Sequence, residues 1–366
     1  MRTTIFKRFF IALLLLPGLH STLSSQVIYT PGGRTVPVSD LNAHIERAMD
    51  SLEMPGLSIA IINKAEVSYH ETFGVTNSST KIPVSKQSIF EGASLSKPIF
   101  AYFALKMADK GVLDLDKPLY KYLPHPAIDS ASVADYKLLT ARMVLSHSSG
   151  FPNFSNGQQI KLKFKPGTGF SYSGEAYQYL AAIIGVLHGV GWKSEFNKIF
   201  EKNVTVPLGM ENTSFLWNDY LAEHKVYGHN QDGEPTTNDT GGWSGKTFNA
   251  FSSIHSEASE YARFIIAMLK REGLQPETFS EMLAPQNVLD VESELYTDTG
   301  QNAWGLGFSQ KPMPYGTMHL HTGNNHDFQA YTMFVPEKDY GIVAFTNSDK
   351  LLPFLEILGT LIDEQF

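Results

Sequence analysis

Ser94 and Lys97 stand three residues apart in the stretch Ser94-Leu95-Ser96-Lys97, and on a helix that spacing brings a hydroxyl and an amine onto one face. An amine kept from water loses affinity for its proton. A neutral amine beside a serine can then take the hydroxyl proton and turn an inert alcohol into a nucleophile. The same spacing recurs in Ser78-Ser79-Thr80-Lys81, so context must separate the two. Lys81 is followed by Ile82, Pro83 and polar residues without a helical stripe, and Asn77 to Thr80 reads as the turn closing a hairpin. After Lys97, apolar residues fall at Ile99, Phe100, Phe103, Ala104 and Met107, a helix-period face that ends near Gly111. Pro98 falls in the first turn, where it forfeits no intrahelical bond. The bland reading of Ser94 is a helix N-cap.

Two further segments carry polar groups at ends of elements. Lys165-Pro166-Gly167-Thr168-Gly169-Phe170-Ser171-Tyr172-Ser173-Gly174 precedes an apolar helix through Ala176, Leu180, Ile183, Ile184 and Leu187. Ser173 suits its N-cap, which leaves the phenol of Tyr172 on the loop before it, able to project into a cleft. His319-Leu320-His321-Thr322-Gly323 ends a strand beside the loop Asn324-Asn325-His326, and Gly323 permits close approach of backbone.

The elements that must position these groups are legible as pattern. Residues 40–53 form an amphipathic helix, with Leu41, Ile45, Ala48, Met49 and Leu52 on one side. Leu57 to Ile62 and Val67 to Gly74 read as two strands joined by Asn63-Lys64-Ala65-Glu66. Residues 101 to about 250 are mostly helix and punctuated loop, and a further helix runs from about Ser256 to Leu269. Strands return over Ala303–Phe308, Thr317–Thr322, Phe328–Val335 and Gly341–Asn347, followed by a last helix over Leu351–Glu364. The fold class is therefore α/β in the α+β sense: one sheet assembled from both chain ends, flanked by helices, with an inserted helical block. The expected division is residues 26–100 and 251–366 for the sheet domain and 101–250 for the insert. Where two such bodies meet is a common place for a ligand.

The 366 residues are 42% hydrophobic, ample for a core. Met1-Arg2, the basic pair Lys7-Arg8, an apolar run from Phe9 to Leu16 and Pro17-Gly18 have the three-part layout of an export signal. Cleavage is expected near Ser24 or Ser25, and an uncleaved N-terminal anchor is the alternative. No later run is long enough to span a bilayer, so the mature protein is expected to be secreted or periplasmic. Zero cysteines exclude disulfides, thiol catalysis and thiolate metal sites. Removing residues 1–25 takes away Arg2, Lys7 and Arg8 and no acid, so the formal charge moves from −8 to −11. That balance, without a basic cluster, argues against nucleic acid as a partner.

Taken in order, Ser94-x-x-Lys97, Tyr172-Ser173-Gly174 and His321-Thr322-Gly323 resemble the three signatures of the penicillin-recognising serine hydrolases. The branch is that of class C β-lactamases, D-alanyl-D-alanine carboxypeptidases, D-amino-acid peptidases and related esterases. Phe90-Glu91-Gly92-Ala93 resembles that family's approach to its nucleophile. Gly111 to Asp116 with Pro118, Leu145 to Gly150, and Pro207-Leu208-Gly209-Met210 resemble further landmarks, so the likeness covers nearly all of the mature chain. The resemblance implies Ser94 as nucleophile, Lys97 as its proton-managing neighbour and Tyr172 as general base. A tyrosine titrates near 10, so it needs nearby cations to ionise at neutral pH; Lys97 and a protonated His321 are the expected sources. The implied oxyanion hole is the backbone N–H of Ser94 and of Asn324, with Thr322 holding a substrate carboxylate or amide.

Two departures mark this chain. The second signature usually ends in an asparagine that reads the substrate's acylamide, and here it ends in Gly174. The third usually begins with lysine in β-lactamases, and here it begins with His321, as in peptidase-like and esterase-like relatives. Specificity then falls to other side chains, with Phe151, Tyr177, Trp304 and Asn325 as candidates. His319, His321 and His326 raise the question of a metal, but no carboxylate is placed to complete a site; no metal and no cofactor is expected. His147 reads as a structural histidine. The expected protein is an exported serine hydrolase acting through an acyl-enzyme on a small ester or amide, including peptides carrying D-residues. The alternatives are a true β-lactamase and a penicillin-binding sensor that acylates without turnover. Oligomeric state is not readable from the sequence.

Overall fold

A computed structural model describes residues 26–191, 194–236 and 247–362. The export-signal reading of residues 1–25 lies outside the described residues. The chain enters through a short antiparallel pair, β1 (Val27–Tyr29) and β2 (Thr35–Pro37), and helix α1 (Val38–Leu52). The hairpin β3 (Gly56–Asn63) and β4 (Glu66–Gly74) follows. The decoy motif at Ser78 is indeed a turn: Asn77 Oδ1 accepts the N–H groups of Ser79 and Thr80 at 2.8 and 3.2 Å.

A four-residue strand, β5 (Phe90–Ala93), leads through Ser94 into α2 (Ser96–Asp109). From there to residue 253 the named elements are helices, among them α3 (Gly174–Leu187) and α4 (Ser194–Asn203). Then β6 (Ile254–Ser256) pairs back onto β5, and α5 (Ala258–Lys270) follows. The rest builds the sheet: β7 (Asn287–Val288), β8 (Ala303–Trp304), β9 (Ser309–Met313), β10 (Gly316–Asn324), β11 (Gln329–Val335) and β12 (Tyr340–Thr346), closed by α6 (Leu351–Ile362). The stretch expected as one strand from Ala303 to Phe308 is broken after Trp304. There Gly305 N–H bonds Phe308 O at 2.8 Å in a turn, and Gly307 takes a φ of +104°, a conformation open to glycine.

Eight strands form one antiparallel sheet in the order β4-β3-β12-β11-β10-β9-β8-β7. The last strand of the chain lies between the first hairpin and β11, with Val343 opposite Ala60 and Tyr331 opposite Ala344. β3 and β12 are buried along almost their whole length because helices cover both faces of the sheet. On one face Leu57, Ile59, Ile61, Met333 and Ile342 pack against the apolar stripes of α1 and α6. The alternate residues Ala60, Ile62, Phe334, Val343 and Phe345 join α2 and α5 in a second cluster, which continues without a break into α3 and α4. Helix α2 is buried on nearly all sides from Ser96 to Leu105, as befits a central helix. Strand alternation sends Met318 and Leu320 of β10 to the first face, and His319, His321 and Gly323 to the second, toward α2.

Candidate active site

Ser94 sits one residue before the N-cap of α2, which is Leu95, so it is not itself the cap. Its backbone is held rather than helical. Ala93 takes a φ of +46°, costly for a residue with a Cβ and retained only where surroundings over-determine it. Ser96 supplies that restraint: its hydroxyl donates to Ala93 O at 2.7 Å and accepts from Ile254 N–H at 2.9 Å. Tyr261 of α5 adds a hydroxyl bond to Leu95 O at 2.8 Å. Gly323 explains the close approach of β10. A Cβ there would collide with the Gly92 carbonyl and stand 3.3 Å from the Ser94 nitrogen. The glycine therefore brings the strand end that carries Asn324 against the backbone of the serine.

Lys97 is 1% exposed. Its Nζ lies 3.0 Å from Ser94 Oγ and 2.9 Å from Phe251 O, and 4.5 Å from the centre of the Tyr172 ring. The Ser94 side chain is close enough to the Tyr172 phenol to lower its pKa. The alcohol, amine and phenol from three separated stretches thus share one crevice. Tyr172 is carried by the loop whose next residue, Ser173, caps α3 by accepting Ala176 N–H at 3.0 Å.

The electrostatics run against one expectation. Burial pushes the Lys97 amine well below the usual lysine range, and no carboxylate is paired with it among the described residues. His321 is buried as well; burial first and Lys97 second push it down to about 3. At neutral pH its ring is uncharged. Its Nδ1 donates to Thr322 O at 2.8 Å, which leaves Nε2 as a buried acceptor with no partner among the described residues. Burial pushes the Tyr172 phenol up, only partly countered by Ser94. His321 therefore supplies no cation to ionise Tyr172, and burial weakens the other expected source, Lys97. The resting site holds a protonated phenol beside an amine whose hold on its proton is much weakened, because all three groups are stripped of water together.

Other candidate residues are distributed unevenly. Thr322 and Asn324 are exposed at the end of β10, and Asn324 Oδ1 accepts His326 N–H at 2.8 Å. Asn325 does not face outward: its Nδ2 donates to Glu91 Oε2 at 2.8 Å. Phe151 and Tyr177 are fully buried, and Tyr177 bonds Leu145 O at 3.1 Å, so neither can meet a substrate. Trp304 does line a cavity of about 270 Å³ beside the phenol, with Phe170, Leu295 and His321. His319 stacks on Phe334 at 5.1 Å, and no group of three His, Cys, Asp or Glu side chains among the described residues is arranged to hold a metal.

Two residues that the sequence named without a partner, His147 as structural and Glu91 on the approach to Ser94, acquire one in the fold. His147 is fully buried beneath Tyr172, with ring centres 4.4 Å apart, and its Nδ1 accepts Ser173 N–H at 3.1 Å. It therefore fixes the loop that presents the phenol. The second is Glu91, three residues before Ser94, which meets Lys225 Nζ at 2.9 Å. Burial alone would raise the Glu91 carboxyl, but Lys225, His255 and the Asn325 hydrogen bond together outweigh it and hold the group below its usual value. Through Asn325 this pair ties β5 to the end of β10, the two segments that bear the Ser94 and Asn324 amides. Glu91→Ala, which removes the carboxylate from a buried ammonium, should cost about 3–5 kcal/mol in denaturant unfolding. The double variant Glu91→Ala/Lys225→Met should recover most of it; no recovery would mean the pair is not the unit.

The buried histidines make the fold acid-sensitive. His321 is held down to about 3, and His255 and His319 to about 4, chiefly by burial. Above the unfolded value of about 6.5 these rings are neutral in both states and carry no penalty. As pH falls below 6.5 the unfolded chain takes up protons that the folded chain refuses, so stability falls through the window from 6.5 down to 3–4. At pH 5 each ring costs about 2 kcal/mol. Thermal melts at pH 7.5 and 5 should show a marked drop at pH 5, and equal melting temperatures would contradict it.

The family described as Beta-lactamase matches residues 41–365 of this chain. Protein flp of Staphylococcus aureus (strain NCTC 8325 / PS 47) is 23% identical over 338 residues, covering 87% of this chain and 65% of that protein. The chain thus spans just under two thirds of the length of that curated relative. Among solved structures, the octameric penicillin-binding protein homologue from Pyrococcus abyssi aligns with a TM-score of 0.74 at 20% identity, over 90% of this chain and 78% of that one. D-alanine carboxypeptidase AmpC from Burkholderia cenocepacia aligns with a TM-score of 0.71 at 20% identity, over 88% and 99% of the two chains. At such identities the likeness to the solved structures is one of fold.

Proposed function

The chain belongs to the beta-lactamase family, and on that premise we propose that it is an exported serine hydrolase forming an acyl-enzyme on Ser94 from a small ester or amide. One observation carries the reading. A fully buried amine without a carboxylate partner lies 3.0 Å from the hydroxyl of a serine on a strained approach. A merely structural lysine gains nothing from such a place, since burial without a counter-ion costs stability.

In the proposed sequence, Lys97 Nζ accepts the Ser94 proton as Oγ bonds to the substrate carbonyl carbon. The developing oxyanion is met by the N–H groups of Ser94 and Asn324, donors of the kind that contribute about 3 kcal/mol each. The bond to the leaving group breaks as Tyr172 gives that group its proton, and the Lys97 ammonium returns a proton to the phenol. Water then repeats the cycle on the acyl-enzyme, releasing the acid and restoring Ser94. The net reaction is ester or amide plus water to acid plus alcohol or amine.

Gly174 in place of an amide reader, and a neutral His321 in place of a fixed cation, support an ester or peptide over a β-lactam as the efficient substrate. The two arginines and one lysine among residues 2, 7 and 8, before an apolar run, support export, and among the described residues no helix is long and apolar enough to cross a membrane. Fluorophosphonate treatment followed by intact and peptide mass spectrometry tests the reading. Labelling of Ser94, absent in Ser94→Ala, with turnover of a model ester is expected. A stable adduct with labelled penicillin and no ester turnover would fit a sensor, and no labelling of folded protein would end both.

A further inference from the structure

Position 174 is closed by hydrocarbon. A Cβ on Gly174 would meet the ring of Phe251 at 2.9 Å and Asn153 O at 3.3 Å. The same ring is centred 5.4 Å from Lys97 Nζ, and the Phe251 carbonyl accepts from that amine. Phe154 continues the surface outward: its ring meets Phe251 edge to face, centres 5.6 Å apart, and 52% of the residue is open to solvent. A strip of two aromatic rings therefore leads from solvent to the amine beside Ser94.

Three side-chain amide oxygens around this strip each already hold a backbone N–H. Asn153 Oδ1 accepts Gly174 N–H at 2.9 Å, Asn249 Oδ1 accepts Phe251 N–H at 3.1 Å, and Gln178 Oε1 accepts Ala250 N–H at 3.0 Å. An acylamino N–H entering here would have to share an oxygen that already holds a backbone N–H, so it trades water for a contested acceptor, and a desolvated donor left poorly paired is costly. An alkyl or aryl chain loses nothing and covers the Phe154 ring.

Resting on the acyl-enzyme reading above, we infer that the acyl side of the crevice selects plain aliphatic or aryl acyl groups over acylamino groups, with Phe154 and Phe251 as the specificity-determining side chains. The substrate class is thus a carboxylic ester whose acid part is apolar next to the carbonyl. The rings act by contact with the chain, and the acylation chemistry stays with Ser94, Lys97 and Tyr172.

The test compares p-nitrophenyl pentanoate with the near-isosteric p-nitrophenyl ester of N-acetylglycine. The expected kcat/KM ratio favours pentanoate by about tenfold or more, the lower end of what one pocket contact is worth. In Phe154→Ala the preference for pentanoate over p-nitrophenyl acetate should shrink by about tenfold, and Phe154→Leu should restore most of it. Equal or better use of the acetylglycyl ester, or an unchanged chain-length preference in Phe154→Ala, overturns the aromatic selection. Fluorophosphonate labelling of Ser94 in the same samples keeps the two readings apart. Labelled protein with the wrong preference sinks only this inference, and folded protein that does not label sinks the acyl-enzyme itself.

Discussion

Replacing Lys97 with methionine is expected to slow acylation of Ser94 by about 10³- to 10⁴-fold, the upper part of the range for a positioned proton acceptor. Methionine is close in length and apolar, so it can occupy the fully buried channel beside Phe251 without a void. The Phe251 carbonyl loses its partner, a cost of about 1–3 kcal/mol, while the penalty of burying an amine disappears. The melting temperature should therefore change little, and the rate effect is chemical. The pH profile gives a second reading. Because burial lowers the Lys97 pKa, the amine loses its proton at pH values where an ordinary lysine is still charged. The rising limb of acylation should fall there and vanish in the variant. Timed fluorophosphonate labelling, read by intact mass, measures both. A variant within tenfold of the wild-type rate would remove the amine from the mechanism.

Tyr172→Phe separates the two roles open to the phenol. With its proton held by burial, the group enters the reaction as a donor to the leaving oxygen. An ethyl ester needs that proton and should lose about 10²- to 10⁴-fold in kcat. A p-nitrophenyl ester, whose leaving group departs as a stable anion, should lose at least tenfold less in the acylation burst. Equal losses on both esters would show that the phenol deprotonates Ser94 instead, and near-normal rates on both would show that it does neither. The ring itself remains in the variant, so its packing on His147 at 4.4 Å and under Lys97 is kept. The difference then reports on the hydroxyl.

The sequence made the scaffold readable because strand and helix periods are local. The hairpin of β3 and β4, the buried helix after Ser94, the cap at Ser173 and the terminal strands all follow from residues within one element. What was not readable depends on distant partners. Nothing near Glu91 announces Lys225, and nothing near Gly174 announces the ring of Phe251. The charge state of the site was misjudged for the same reason. Lys97, Tyr172 and His321 are recognisable by type, but their proton affinities are set by how completely the fold dries them. Ser94 also proved to lie outside the helix, since the left-handed turn at Ala93 has no glycine to signal it.

The place of β12 has a consequence for the life of the molecule. Residue 343 pairs with residue 60, and Gly323 seals against Gly92, so the crevice closes only when the span from residue 60 to residue 343 is present. Bringing such remote segments together is slow to nucleate. A nascent chain on the ribosome, or a product truncated before residue 340, carries Ser94 and Lys97 but lacks the strand that would set β11 and β10 beside them. On the proposed mechanism, Ser94 is therefore expected to become reactive only once the strand Tyr340–Thr346 has joined the sheet.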